Sequence, residues 1–305
     1  MQKIKLSSGF IINALGVVGS IASIFSLFSA NSVLRIIGIV FVISYIIAVT
    51  IFVIKRYFSL AKIKRNIHLS YVNKLTQLSE KNRHIFNYLK NDISYIQNKK
   101  IDSDVFENII KKCCTAINEY FDCYLGNKTC VCIKTIKTEN ILNEDIKTWE
   151  IRTLARSEST LQLRSDTDSH SSKVTENTDF ELIISEGEDC FSTPNLPDTI
   201  EKFSKKGKTY KNSRSNFLDY YKSTIVVPIR IDTVKISSVL KDQVSEDYLE
   251  KRKYHVLGFL CVDSMFTFDN DIDTFVSATE QAKAFADIMY HLLETFLVSQ
   301  ITVEE

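Results

Sequence analysis

The first 56 residues contain no aspartate and no glutamate. Lys3, Lys5, Arg35, Lys55 and Arg56 supply all the charge there, which leaves 33 basic against 37 acidic side chains in the rest of the chain. The near-neutral total of +1 is thus a basic N-terminal segment added to a mildly acidic remainder. Such a remainder lacks the concentrated basic face of a general nucleic-acid binder, and no nucleic-acid partner is expected. Glycine is also scarce: eight residues in 305, with Gly9, Gly16, Gly19 and Gly38 inside that first segment. The four others leave no room for a glycine-rich phosphate loop or a dinucleotide fingerprint. Zinc spacing is missing too. Cys113 and Cys114 are adjacent, Cys130 and Cys132 alternate, and neither arrangement leaves the two to four intervening residues of a zinc pair. Seven cysteines is an odd number without the spacing of a disulfide framework, so they read as reduced thiols. No metal or cofactor is expected.

What the N-terminal segment does have is length and apolarity. Residues 6–34 carry no charge, and neither do residues 36–54. Each stretch reaches the roughly 20 residues needed to cross a bilayer core as a helix. Ser29, Ala30, Asn31 and Ser32 form a short polar connector between them. A transmembrane helical hairpin over residues 1–55 is predicted, with spans of about 9–30 and 34–54, because helices satisfy their own backbone in lipid. The alternative for the first stretch is a cleavable signal peptide, which its length and the second apolar stretch argue against. Lys3 and Lys5 precede the spans, and Lys55, Arg56, Lys62, Lys64 and Arg65 follow them. The positive-inside rule then places both termini in the cytoplasm of a bacterial inner membrane. Gly16 with Ser20 and Gly19 with Ser23 are small residues four apart, a row that permits close helix approach in lipid. That row serves either oligomerisation or packing against the second span. No acidic residue lies in either span, which disfavours a proton relay.

Residues 56–100 read as a connecting helix. There is no proline or glycine from Arg56 to Asn98, and Leu60, Ile63, Ile67, Tyr71, Leu75, Leu78, Ile85, Leu89, Ile93 and Ile96 trace one face. Asn82 falls on the same ridge, where a polar residue sets register if the seam is a coiled coil. Dimerisation through this helix is one reading. A helix folded back on its own domain is the other.

Residues 101–305 alternate helix and strand. Val105 to Phe121 is an amphipathic helix, Thr129–Lys137 and Lys147–Ala155 are strands, and residues 157–178, dense in Ser, Thr and Asp, are an exposed loop. Thr178–Ser185 reads as a short helix, Ser223–Ile231 and Tyr254–Asp263 as strong strands, and residues 271–298 as a closing helix. Pro228 makes the strand that holds it an edge or bulged strand. The fold class is α/β (α+β): an antiparallel sheet with helices packed on one face.

The runs Ser223-Thr-Ile-Val-Val-Pro-Ile and Val256-Leu-Gly-Phe-Leu-Cys-Val-Asp, followed by a helix containing Ala284-Phe-Ala-Asp-Ile, resemble the GAF domain. The resemblance covers about residues 105–298 and implies a GAF/PAS-like sheet, with these two runs as central strands. GAF domains are small-molecule sensors and dimerisation modules, so the resemblance also implies a ligand pocket behind residues 157–222. Within that region Phe191, Asn195, Tyr210, Asn212 and Arg214 mix aromatic and hydrogen-bonding groups suited to a polar ligand. Arg164, Asp168 and His170 lie in the loop expected to act as its lid.

No nucleophile, base and orienting group are placed together by spacing, so no enzyme is expected. His84 sits on the connecting helix, where a sensor kinase would carry its phospho-acceptor, but no nucleotide-binding kinase pattern follows. One GAF subgroup reduces free methionine sulfoxide with cysteines near its pocket, and Cys190 is the residue placed for such a role. The expected function is a membrane-anchored sensor or effector, a homodimer or higher oligomer, that binds a small ligand or partner protein and signals through its connecting helix. The alternatives are a tethered scaffold without ligand and a membrane-disrupting anti-phage effector, the latter by similarity of layout.

Overall fold

A computed structural model of the chain describes residues 32–99, 101–137, 146–158, 171–244 and 246–301. The chain divides into two units, Met1–Asn73 and Lys74–Glu305, and one long helix, α1 (Ser32–Asn98), contributes to both.

In the first unit, Arg35–Asn66 is a 32-residue stretch of α1 long and apolar enough, by length and composition, to cross a membrane. Ile36, Ile37, Val40, Ile43, Ile46 and Ile47 are all exposed, so the helix is apolar around its circumference rather than along one stripe. The Thr50 hydroxyl donates to the Ile46 carbonyl at 2.8 Å, which satisfies that polar group within the helix. This is the one such helix among the described residues. The expected first span, with Gly16, Gly19, Ser20 and Ser23, lies outside them.

In the second unit the last part of α1 runs antiparallel along α2 (Ser103–Leu125). Cys123 lies 3.8 Å from Gln77, and Lys81 pairs with Glu119 at 3.0 Å. Further along, Lys112 lies close enough to Asp92 to lower its pKa against the rise caused by burial. Leu78, Ile85, Leu89 and Ile96 are buried in the domain's own core. The polar Asn82 lies near the Tyr120 hydroxyl of α2, and its influence opposes the rise that burial causes there. From Leu78 to Ile96 the seam is folded back on its own domain, while Leu60, Ile63 and Leu75 of the same face are exposed.

Helix α2 starts where Asp102 accepts a hydrogen bond from Val105 N at 2.8 Å, and it ends at Gly126, whose φ of 70° suits a residue without Cβ. Asp122 then accepts from both the backbone and the hydroxyl of Thr129, at 2.6 and 2.8 Å, and so sets where the first strand begins.

Six strands, β1 (Thr129–Ile136), β2 (Glu150–Arg156), β3 (Ser172–Lys173), β4 (Phe191–Thr193), β5 (Ser223–Asp232) and β6 (Tyr254–Ser264), form one sheet. Its order is β3-β2-β1-β6-β5-β4, and every pairing is antiparallel. Strands β3 and β4 are too short to show a period of two, and the sequence reading missed them. Strand β2 begins three residues later than expected, because residues 146–148 form a 3-10 turn and Trp149 is buried in the core.

The connections carry α3 (Thr178–Ser185), α4 (Leu196–Lys205), α5 (Ser238–Lys241) and α6 (Glu246–Lys251), and α7 (Ile272–Ile301) closes the domain. Helices α2 and α7 pack side by side on one face of the sheet. Phe106 stacks on Phe296 at 3.8 Å, and the Tyr124 hydroxyl donates to Ser277 at 2.6 Å. Helix α3 lies on the opposite face, with Phe180 4.5 Å from Phe259.

Pro228 behaves as expected. Pairing with β4 ends at Val226, so the position without an N–H meets no ladder on that side, and the register shifts just beyond, between Ile229 and Arg230.

Gly258 lies at the tightest approach in the sheet. It faces Thr135 across the β1–β6 pair, and a Cβ built on it would lie 2.1 Å from the Lys134 carbonyl oxygen. Because that obstacle is backbone, Gly258→Ala should destabilise the domain by about 3 kcal/mol, at the upper end of overpacking costs. Denaturant unfolding of the chain in detergent reads this, and an unchanged midpoint would mean the two strands are not this close.

Candidate functional site

The sheet face not covered by α2 and α7 carries a cavity of about 770 Å³. Its floor follows from the period of two in the strands. Cys132 and Lys134 come from β1, Cys261 and Asp263 from β6, and Thr224 and Val226 from β5. Ile151 and Thr153 of β2, with Arg156, extend the floor to one side.

Two loop segments form the walls, residues 171–180 and residues 212–221. Asn177 and Thr178 tie them together. The Thr178 N–H donates to the Lys211 carbonyl at 3.0 Å, and the Lys211 N–H returns a bond to the Thr178 hydroxyl at 2.7 Å. The Ser213 N–H donates to Asn177 Oδ1 at 3.0 Å. Asn212 donates to the Tyr221 hydroxyl at 2.7 Å and accepts from the Arg214 N–H at 3.0 Å. These bonds brace the two wall segments against each other beside the floor.

The lining carries both signs of charge: Lys134, Arg156 and Arg214 against Glu176, Asp179 and Asp263. Such a lining suits a polar molecule with both donor and acceptor groups, oriented by a few convergent side chains. The Thr224 hydroxyl donates to Asp263 at 2.8 Å, and the Lys134 ammonium stands 5.2 Å over the Phe180 ring. Asp179 is buried, and burial raises its carboxyl to about 6 against the opposing pull of Lys134 and of the Phe180 N–H. Cys132 and Cys261 face each other on neighbouring strands. The hydrogen bond from Cys261, with Arg156 and Lys134 nearby, brings Cys132 below the usual thiol range. Cys261, the donor in that bond, is held well above it.

Of the residues read from sequence, Asn212 and Arg214 line the cavity. Phe191 and Tyr210 do not: they are buried in an aromatic cluster, with ring centroids 6.0 Å apart, that supports the wall from behind. Asn195 caps α4, accepting from Asp198 N at 3.1 Å and donating to Asp269 at 2.8 Å. Arg164, Asp168 and His170 lie outside the described residues. Cys190 does not line the cavity, and burial raises its thiol. The residues that reading missed are on the strands. Alternation within β1 and β6 could have found Cys132, Lys134, Cys261 and Asp263 once those strands were known to be neighbours.

No group of three or more metal-ligating side chains occurs among the described residues. No family model matches the chain, and no curated protein matches it. Among solved structures, the GAF domain of an Acinetobacter phosphoenolpyruvate-protein phosphotransferase aligns at 14% identity over 72% of this chain and 94% of its own, with a TM-score of 0.36. A putative GAF sensor protein from Burkholderia vietnamiensis aligns at 10% identity over 72% and 98%, with a TM-score of 0.37. A type II free methionine-R-sulfoxide reductase from Thermoplasma acidophilum aligns at 14% identity over 63% and 96%, with a TM-score of 0.35. The fold of the second unit is GAF-like. At these scores the likeness carries nothing about activity. The adjacent strands β5 and β6 and the closing helix α7 are features the GAF resemblance called for, while β6 is central and β5 lies one strand in from the edge.

Asp179 gives the site a pH dependence. Well below the ordinary carboxyl value of 3.8, its side chain is protonated in folded and unfolded chains alike and costs nothing. As pH rises toward 6 the unfolded chain ionises first, so stability falls, and above about 6 a constant penalty of roughly 3 kcal/mol remains. Asp179→Asn should therefore stabilise the chain at pH 7.5, raising its melting midpoint by roughly 2–4 °C per kcal/mol recovered, and should flatten the fall between pH 4 and 6. A lower midpoint at pH 7.5 would show that the charge is a net asset where it stands.

Proposed function

We propose that the chain is a membrane-anchored, non-enzymatic sensor whose GAF-like domain binds a small polar ligand. The observation that carries this reading is the open cavity with braced walls and charged lining of both signs. A tethered scaffold with an empty core would fill that space with apolar side chains. The apolar Arg35–Asn66 stretch of α1 supports the anchor.

A route from ligand to helix follows from the packing. Strand β1 forms part of the cavity floor with Cys132 and Lys134, while its alternate residues Val131 and Ile133 are buried in the core on the side of α2. Helix α2 in turn carries the last part of α1 through Glu119 and Tyr120. A ligand that binds better to one arrangement of β1 against α2 would shift the population of α1 packings by that difference in affinity and no more. The output is then the membrane segment or a partner protein that reads α1.

Native mass spectrometry of the full chain released from detergent is the direct test. We expect a retained small molecule, and Arg214→Ala at the cavity rim should lower its occupancy about tenfold, or 1.4 kcal/mol, without changing the melting midpoint. A chain of bare sequence mass that also shows no thermal shift with any small polar metabolite would overturn the reading. The chain should also stay with the membrane fraction through alkaline carbonate washing, and its release would remove the anchor.

A further inference from the structure

Cys132 and Cys261 face each other directly across the β1–β6 pair, and both side chains open onto the floor of the cavity. Directly opposed residues in an antiparallel pair have Cα atoms about 4.5–5.5 Å apart, inside the range a disulfide spans. Their Cβ atoms, at about 4.5–5.5 Å, need to close by only about 1 Å to reach disulfide geometry. Both residues are reduced, and each is 4% exposed. Access to either sulfur is therefore through the cavity, which is large enough to admit a small reagent. The thiol of Cys261 hydrogen-bonds the sulfur of Cys132, while Arg156 and Lys134 supply positive charge beside that sulfur and Asp263 supplies the opposing charge. Arg156 stands opposite Cys132 on β2, so the guanidinium belongs to the Cys132 side of the pair. Cys113 and Cys114 on α2 are buried, and burial raises both thiols.

We propose that Cys132 and Cys261 are a redox-active dithiol, oxidised to a cross-strand disulfide by a small hydroperoxide that enters the cavity. The Cys132 thiolate attacks the terminal peroxide oxygen. The S–O bond forms, the O–O bond breaks, and the leaving oxygen departs as an alcohol, or as water from hydrogen peroxide. Arg156 is placed to donate to that oxygen as it takes on charge. Cys261 then gives up its proton and attacks the Cys132 sulfur, forming the S–S bond and expelling the S–O oxygen as water. Two thiols and one hydroperoxide thus become one disulfide, one alcohol and one water, with two electrons passing from sulfur to oxygen. Two equivalents of a small thiol reverse the change and leave as their own disulfide. A hydroperoxide fits better than a small disulfide, because at a recessed sulfur its attacked oxygen carries no bulky group. Oxidation removes a negative sulfur from beside Lys134 and Arg156 and covalently joins the two strands of the floor. This goes beyond ligand binding and does not depend on it.

The test is peptide mapping of the full chain in detergent after brief treatment with hydrogen peroxide, quenched with an alkylating agent. The expected result is a peptide pair joined through Cys132 and Cys261, dissolved by a small thiol, appearing at least about tenfold faster than any oxidation at Cys190. Cys132→Ser should leave Cys261 unoxidised over the same interval, whereas Cys261→Ser should trap Cys132 as a sulfenic acid captured by a dione probe. The wild-type map is decisive even if a variant folds poorly. Oxidation spread evenly over the cysteines, or no joined peptide at any dose that leaves the chain folded, would overturn the proposal without bearing on whether the cavity holds a ligand.

Discussion

The close pairing of β1 with β6 is the contact on which the rest of the domain depends. Gly258 can sit against the Lys134 carbonyl only because it has no Cβ, and that approach belongs to a register running from Thr129 opposite Ser264 to Thr135 opposite Gly258. A slip of one residue would turn every side chain of a strand to the opposite face. Val131 and Ile133 would leave the core, and Cys132 and Lys134 would enter it. The same register therefore builds the core on one face and the cavity floor on the other.

That double use explains why the buried polar groups are where they are. Asp263, Thr224, Asp179 and Lys134 form a charged and hydrogen-bonded patch on a sheet whose other face is aliphatic and aromatic. A buried carboxyl held toward its neutral form carries a stability cost that a packing role alone would not require. Groups tolerated at a cost and gathered at one cavity are the pattern of a binding site. The wall bonds made by Asn177, Thr178 and Asn212 have the complementary role, since they fix the segments that flank these groups.

Much of the fold was legible. Helix α3 has the bounds its pattern indicated, β5 and β6 stand out as long apolar runs, and Pro228 sits where pairing on one side has stopped. The site was less so. Asn212 and Arg214 were found because polar residues in a loop beside a sheet are natural pocket walls. Phe191 and Tyr210 looked the same in sequence, but their rings pack on each other and on Phe217 instead. Asn195 could equally have been read as a helix cap, since Pro197 and Asp198 follow it in the first turn. The connecting helix shows the same limit, because an apolar stripe indicates burial without naming the surface that buries it.

Local chemistry in the sequence determined the elements and the division of the chain: an N-terminal segment without acidic residues, a helix without breakers, and strands whose alternation sorts apolar from polar faces. Only the tertiary structure decided which strands are neighbours. Cys132 and Cys261 are 129 positions apart, and nothing local to either states that they face each other. Strand pairing is set by the summed burial of two whole faces, a property of the assembled sheet. The cavity, its charges and its paired sulfurs are consequences of that assembly.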